Sequence, residues 1–267
     1  VNQALVFSSH SFLGFEVCKQ LLDEGIVVHA VSDKRLSEDR ELEVGRNANF
    51  HFSSSYPIPY RSKESGYVFF PFYDVLYDEE INIKRWQSMM KNKDGFIPGS
   101  HFIFLYSSNW LKTNDSNQNR FQMEKFKEEL IEDERFKLTV IYLPTLYGPR
   151  QPESFIIQKI MNQTDSEGCA CIDLIDDLES AILIQDAVKM IVSMKDKEGS
   201  FLFHNEKEDI WLEIFQYLEV NEKIRIRSAQ KTDKSKLEVI YVENSLSVQE
   251  AICQQKEYQL KNRGGFF

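Results

Sequence analysis

The opening thirty-three residues constrain the fold of this chain more than any other stretch. Ala4 to Phe7 is a short apolar run, and the small polar residues Ser8-Ser9-His10-Ser11 follow it at once. Leu13, Val17, Leu21 and Leu22 then recur at helical spacing as far as Gly25. Ile26 to Val31 is a second apolar run rich in β-branched residues, with Asp33 just beyond it. A strand, a tight turn, a helix and a second strand within roughly 30 residues make up the size of a βαβ crossover. Such a unit needs a parallel sheet with helices on its faces.

The rest of the chain continues the alternation. Strands are predicted at Tyr67 to Tyr73, interrupted by Pro71, at His101 to Tyr106 and at Leu138 to Leu143. Helices are predicted at Ile81 to Met90 and at Arg120 to Glu134, the latter with Phe121, Phe126, Leu130 and Ile131 as its packing stripe. Lys34 to Glu43 is highly charged, and the chain reads as irregular from there through Ser53-Ser54-Ser55. Beyond Arg150, helical patterns at Phe155 to Met161, Asp186 to Met194 and Trp211 to Leu218 accompany strand-like runs at Ala181 to Ile184 and Ser200 to His204. The expected class is α/β: a Rossmann-like doubly wound parallel sheet in residues 1–150, with a smaller lobe in 151–267. That lobe is expected to pack on the first part and not to stand alone. The last 50 residues or so carry no assignment.

The formal net charge of -10 argues against a nonspecific grip on nucleic acid phosphates. No apolar stretch reaches the roughly 18 residues of a membrane span, and no signal-type apolar run opens the sequence. Neither nucleic acid nor membrane is an expected partner, and a reducing cytoplasm is the default compartment. Of the four cysteines, Cys169-Ala170-Cys171 has no second pair or histidine cluster nearby, so two small core residues are expected and no metal site.

A dinucleotide would bind at the first βαβ unit, where its diphosphate meets the N–H groups at the amino end of the helix. The run Ala4-Leu5-Val6-Phe7-Ser8-Ser9-His10-Ser11-Phe12-Leu13-Gly14 resembles the GxxGxxG fingerprint of the extended short-chain dehydrogenase/reductase family, the NAD-dependent epimerases and dehydratases. Ser8, Ser11 and Gly14 stand at its three glycine positions, and only the last is glycine. The resemblance implies a cofactor site formed by Ser8, His10, Ser11, Phe12, Leu13 and Gly14. Asp33, 19 residues after Gly14, stands where the family's ribose-binding acid would be. Asp33 points to NAD, while Lys34 and Arg35 beside it leave NADP open. A plain turn and helix cap is the competing reading of Ser8 to Ser11.

The family's proton chemistry uses a tyrosine and a lysine four residues apart on one helix face, with a strand-end serine on the same substrate oxygen. Phe121-Gln122-Met123-Glu124-Lys125 resembles that YxxxK segment, with Phe121 at the tyrosine and Lys125 in place, where the resemblance implies that it also holds the cofactor ribose. Ser107 and Ser108 resemble the strand-end serine. Phenylalanine has no proton to give, so this acid–base route is absent. A solvated lysine and a core aromatic are the competing readings of Lys125 and Phe121. Tyr106 and Tyr147 are candidate replacement donors.

Leu143-Pro144-Thr145-Leu146-Tyr147-Gly148-Pro149-Arg150-Gln151 is similar to the family's Tyr-Gly-Pro-Arg loop, which borders the nicotinamide; Tyr147 would then touch cofactor. Weaker echoes follow at Ala181 to Val188, with Asp186 at a family acid, and at Gly199 to Asn205. Phe70-Pro71-Phe72-Tyr73-Asp74 replaces the family's small-residue turn after the middle strand, and aromatics there would crowd a cofactor ribose. The resemblance implies a dinucleotide or nucleotide-sugar ligand and a homodimer paired through the Phe121 helix. The altered residues imply a degenerate member with a regulatory, sensing or binding role. The alternative is an active NAD(P)-dependent epimerase, dehydratase or reductase with a rebuilt proton donor; an assembly role without nucleotide is a third.

Overall fold

The computed structural model describes residues 2–54, 65–76, 96–111, 118–164, 170–172, 178–220, 224–226 and 237–263. Its strands in chain order are β1 (Gln3–Phe7), β2 (Val27–Val31), β3 (Phe50–Ser53), β4 (Tyr67–Phe70), β5 (His101–Ser107) and β6 (Lys137–Leu143). They continue with β7 (Thr145–Tyr147), β8 (Ala170–Ile172), β9 (Ala181–Leu183), β10 (Gly199–Asn205), β11 (Ile224–Ile226) and β12 (Glu238–Val242). The helices are α1 (Phe12–Asp23), α2 (Glu38–Val44), α3 (Gln118–Ile131), α4 (Ile156–Thr164), α5 (Ile184–Ser193), α6 (Ile210–Tyr217) and α7 (Val248–Arg263).

Eight strands form one sheet in the order β12-β10-β6-β5-β4-β1-β2-β3. β1 pairs in parallel with β2 and β4, β2 with β3, and β4 with β5, with Val6 opposite both Ala30 and Phe69. The central strands β4 and β5 are buried at every position, which is why they read as unbroken apolar runs and not as alternating ones. The reversal of order between β1 and β4 is the kind of switch point at which open α/β sheets place ligands. The α/β class and the parallel sheet stand as the sequence predicts. β7 and β9, and β8 and β11, form two further parallel pairs.

The chain divides into two compact units of interleaved segments. The first comprises Val1–Tyr106, Thr113–Ile141 and Ile191–Phe201; the second comprises Ser107–Lys112, Tyr142–Met190 and Leu202–Phe267. In the first unit α1 is capped by Ser11 and ends at Gly25, whose φ of 75° suits glycine. There the Ile26 N–H reaches the Leu21 carbonyl and the Gly25 N–H reaches that of Leu22, closing the helix in a Schellman turn. In the second unit Ile156, Ile157, Ile160, Trp211, Ile214, Ala251 and Ile252 join α4, α6 and α7 in one apolar cluster. The unassigned final residues therefore supply both a sheet strand and a core helix.

Two local readings change. The charged stretch after Lys34 holds a helix, α2, because Glu38, Asp39 and Glu41 place negative charge in its first turn, where the helix dipole favours it. β3 follows where irregular chain was expected. On α3 the inward stripe is Met123, Phe126 and Leu130, whereas Phe121 is 67% and Ile131 64% exposed. Phe121 lies two residues from Met123, about 200° around the helix, so both cannot face the core. The helix predicted at Ile81 to Met90 lies outside the described residues.

Candidate functional site

The turn from β1 into α1 keeps a glycine-type backbone without the glycine. Ser8 has a φ of 47°, in the left-handed region that L-residues enter at a cost of roughly 1–2 kcal/mol. Its carbonyl accepts from the Ser11 N–H at 2.9 Å, closing the turn, and the Ser9 N–H donates to Val31 at 3.2 Å, tying the turn to β2. Ser11 then caps α1, accepting from the Gly14 N–H at 3.2 Å.

A carboxylate from elsewhere in the chain completes the helix end. Asp74 lies in a short 3-10 turn, Phe72–Leu76, just after β4, and is 2% exposed. Its Oδ2 accepts from the Leu13 N–H at 3.1 Å, from the Gly14 N–H at 3.4 Å and from the Ser11 hydroxyl at 2.6 Å; its Oδ1 lies 3.2 Å from the Leu13 nitrogen. Two of the orphan donors of the helix, and the positive end of its dipole, are thus satisfied internally. Burial pushes the Asp74 carboxyl up to about 6, against the pull of Ser11, the two amides and the positive charge of Arg40. Arg40 also donates to the His10 carbonyl and lies over the Phe15 ring.

Aromatic rings pack around the carboxyl ends of β1, β4 and β5. Phe7 stacks on Phe70 at 4.7 Å, Phe70 on Phe72 at 5.5 Å, and Phe72 on Tyr106 at 5.1 Å. All four are at most 2% exposed, as are Phe12 and Tyr73. At the end of β2, the buried Ser32 hydroxyl bonds the His10 ring and accepts from the Lys34 N–H at 3.1 Å, while Asp33 itself is exposed. The structure thus brings Ser8, Ser11, Phe12, Leu13 and Gly14 into one turn. His10 is joined to the β2 end through Ser32, next to Asp33.

On α3, Lys125 and Phe121 share an exposed face. Lys127, at the same spacing from the buried Met123, pairs instead with Glu124.

In the second unit, Ser107 and Ser108 are buried, and the Ser107 hydroxyl accepts from the Asn109 N–H at 3.3 Å. Tyr147 is wholly buried and its hydroxyl accepts from the Asn244 amide at 3.0 Å. Burial, with Asp186 and Glu213 nearby, pushes this phenol well above the ordinary tyrosine range. A catalytic phenol needs the opposite shift. The Gly148 N–H donates to Gln255 at 3.0 Å, and the Arg150 guanidinium lies 5.0 Å over the Tyr258 ring, so α7 holds this loop from below. A cavity of about 420 Å³ in the same unit is lined by Asn205, Lys207, Glu213, Glu243 and Asn244, and by none of the candidate catalytic or cofactor residues. Among the described residues no cluster of three metal-ligating side chains occurs, and no helix is long and apolar enough to cross a membrane.

Comparison with solved structures finds almost the whole chain matched. UDP-glucuronic acid 4-epimerase from Bacillus cereus in complex with NAD superposes with a TM-score of 0.69 at 12% identity, covering 99% of this chain and 99% of that one. dTDP-glucose 4,6-dehydratase from Bacillus anthracis in complex with NAD gives 0.65 at 12% identity, covering 98% and 97%. UDP-glucose 4-epimerase from Thermotoga maritima gives 0.61 at 16% identity, covering 98% and 99%. The fold is that of the NAD-dependent epimerases and dehydratases. No family model and no curated relative matches the sequence.

In an epimerase-type fold the amino end of α1 is where the diphosphate of a dinucleotide would dock. Here the residues do not fit one. The Leu13 and Gly14 amides are already engaged by a buried carboxylate. A second anion about 4 Å from it would meet a repulsion of ~4 kcal/mol at an effective dielectric of 20. Asp74 is the residue the sequence reading left without a role. Its one signal is position: it is the only carboxylate in the run Phe70-Pro71-Phe72-Tyr73-Asp74 that replaces the small-residue turn.

Proposed function

We propose that this chain is a catalytically degenerate relative of the NAD-dependent epimerases and dehydratases, retained for regulation, sensing or partner binding and not for turnover. The observation that carries the reading is the α3 face on which Phe121 and Lys125 lie exposed, with no phenol in that pair. Loss of a positioned general acid typically costs ~10²- to 10⁴-fold in rate. Tyr147 does not make up the loss, because its phenol is buried, bonded and shifted the wrong way. The rings filling the carboxyl ends of β1, β4 and β5 support the same reading, since that is the region a nicotinamide and sugar would need.

The test is to incubate the protein with NAD and a UDP- or dTDP-hexose and follow epimerised or dehydrated product. The expected result is no cofactor-dependent product, with or without Phe121→Tyr. Turnover at ordinary enzyme rates, ~1 to 10³ per second, would overturn the proposal.

A further inference from the structure

We infer that Asp74 is a resident anion standing in for the diphosphate of a dinucleotide, and that it closes the amino end of α1 to NAD(H) and NADP(H) in the native chain. The inference rests on the degenerate-epimerase reading only in naming the ligand that this helix end would otherwise serve.

The contacts are those a phosphate would make. A buried anion at the amino end of α1 accepts from the N–H groups of Leu13 and Gly14 and from the capping hydroxyl of Ser11. The Ser11 hydroxyl has one proton to give and two acceptors close by, Asp74 at 2.6 Å and the Ser8 carbonyl at 2.7 Å. The carboxylate therefore competes with the turn for that proton, and the turn, the cap and the anion form one unit. The segment that delivers Asp74 is anchored beside it, because Phe72 stacks on both Phe70 and Tyr106 in the core. The anion is built in. It reaches the helix across 63 residues of sequence separation from Ser11, so it is no local cap of the kind serine and aspartate ordinarily supply.

This account also explains how the loop survives the loss of two glycines. A diphosphate must approach the turn backbone closely, which is what the glycines permit. A single carboxylate carried on a side chain makes fewer demands, and serine at positions 8 and 11 is compatible with it. The arrangement lets the first βαβ unit fold and hold its shape with no cofactor bound.

The experiment uses the full chain, wild type and Asp74→Ala, in thermal unfolding with sodium pyrophosphate and, separately, with NADH. Each series is matched for ionic strength with chloride. Wild type is expected to show no saturable rise in Tm and no NADH fluorescence change. Asp74→Ala, its helix end vacated, is expected to rise by ~3 °C at about 10 mM pyrophosphate if the anion binds near 1 mM. Should the alanine variant fail to fold, Asp74→Asn, which keeps the shape and drops the charge, is followed by the backbone amide resonances of Leu13 and Gly14. Those two signals should move with pyrophosphate in the variant and stay still in wild type. Micromolar binding of NADH by wild type would overturn the inference, and so would a variant that ignores pyrophosphate. Binding without turnover would do so while leaving the degenerate reading intact.

Discussion

A Cβ built on Gly14 would stand 2.3 Å from the carbonyl oxygen of Ser8. Glycine persists at this position because the first turn of α1 presses against the preceding loop, whatever lies beyond the helix end. Gly14→Ala is expected to cost about 1–3 kcal/mol, the usual penalty of overpacking, read as a lower midpoint in urea unfolding. An unchanged midpoint would mean that the turn is looser than it looks.

Ser8 gives the opposite expectation. Its φ of 47° is the conformation glycine adopts freely. Ser8→Gly should stabilise the protein by about 0.5–1 kcal/mol, since relief of the left-handed backbone outweighs the greater freedom of the unfolded chain. A melting experiment on the two proteins in parallel checks it.

Asp74 makes stability depend on pH in an unusual direction. Its folded value, about 6, lies above its ordinary 3.8. Between those values the folded protein holds a proton that the unfolded chain has released. The stability it contributes is full below about 4 and is lost as pH rises through about 6. The difference in unfolding free energy between wild type and Asp74→Asn should therefore shift by about 2–3 kcal/mol, against wild type, from pH 4 to pH 8. Burial depresses His29 and His101 instead, which weakens the fold as pH falls, so only the difference between the two proteins isolates Asp74. A flat difference would show that Ser11, the two amides and Arg40 offset the cost of burying the carboxylate in full.

Gln255 ties the last helix to the Tyr147-Gly148-Pro149-Arg150 loop. Its oxygen accepts from the Gly148 N–H, while its nitrogen donates to Gln151 at 2.7 Å and Gln158 at 2.9 Å, all three glutamines being buried. Gln255→Leu leaves the Gly148 N–H and the Gln158 oxygen unmatched in the core, while Gln151 keeps its bond from the Gln158 N–H, and is expected to cost about 2–4 kcal/mol in urea unfolding. A loss below about 0.5 kcal/mol would show that the network is dispensable.

Much of this was legible in the sequence, for definite reasons. The unbroken apolar runs at Ala4 to Phe7 and His101 to Tyr106 announce strands buried on both faces, and both are there. α2 and β3 were missed because Lys34 to Ser55 has few apolar residues to set a period; α2 rests on acids at its start and β3 on its pairing with β2. Phe121 misled for a related reason, since an aromatic in a helix suggests core, and only the phase set by Met123, Phe126 and Leu130 decides which face is inward. The carboxylate on α1 was hidden because Ser11 and Asp74 are 63 residues apart. No local pattern links them. The register that carries β4 up beside β1 brings them together.

The position of β12 bears on how the protein is made. It is the outer neighbour of β10 in the sheet, yet Glu238–Val242 is synthesised well after Gly199–Asn205. At roughly 5–20 residues per second, the flank of β10 stays bare on the ribosome for about 2–7 seconds. A bare strand flank recruits other chains. Translation that pauses in this interval would leave nascent chains prone to joining one another edge to edge.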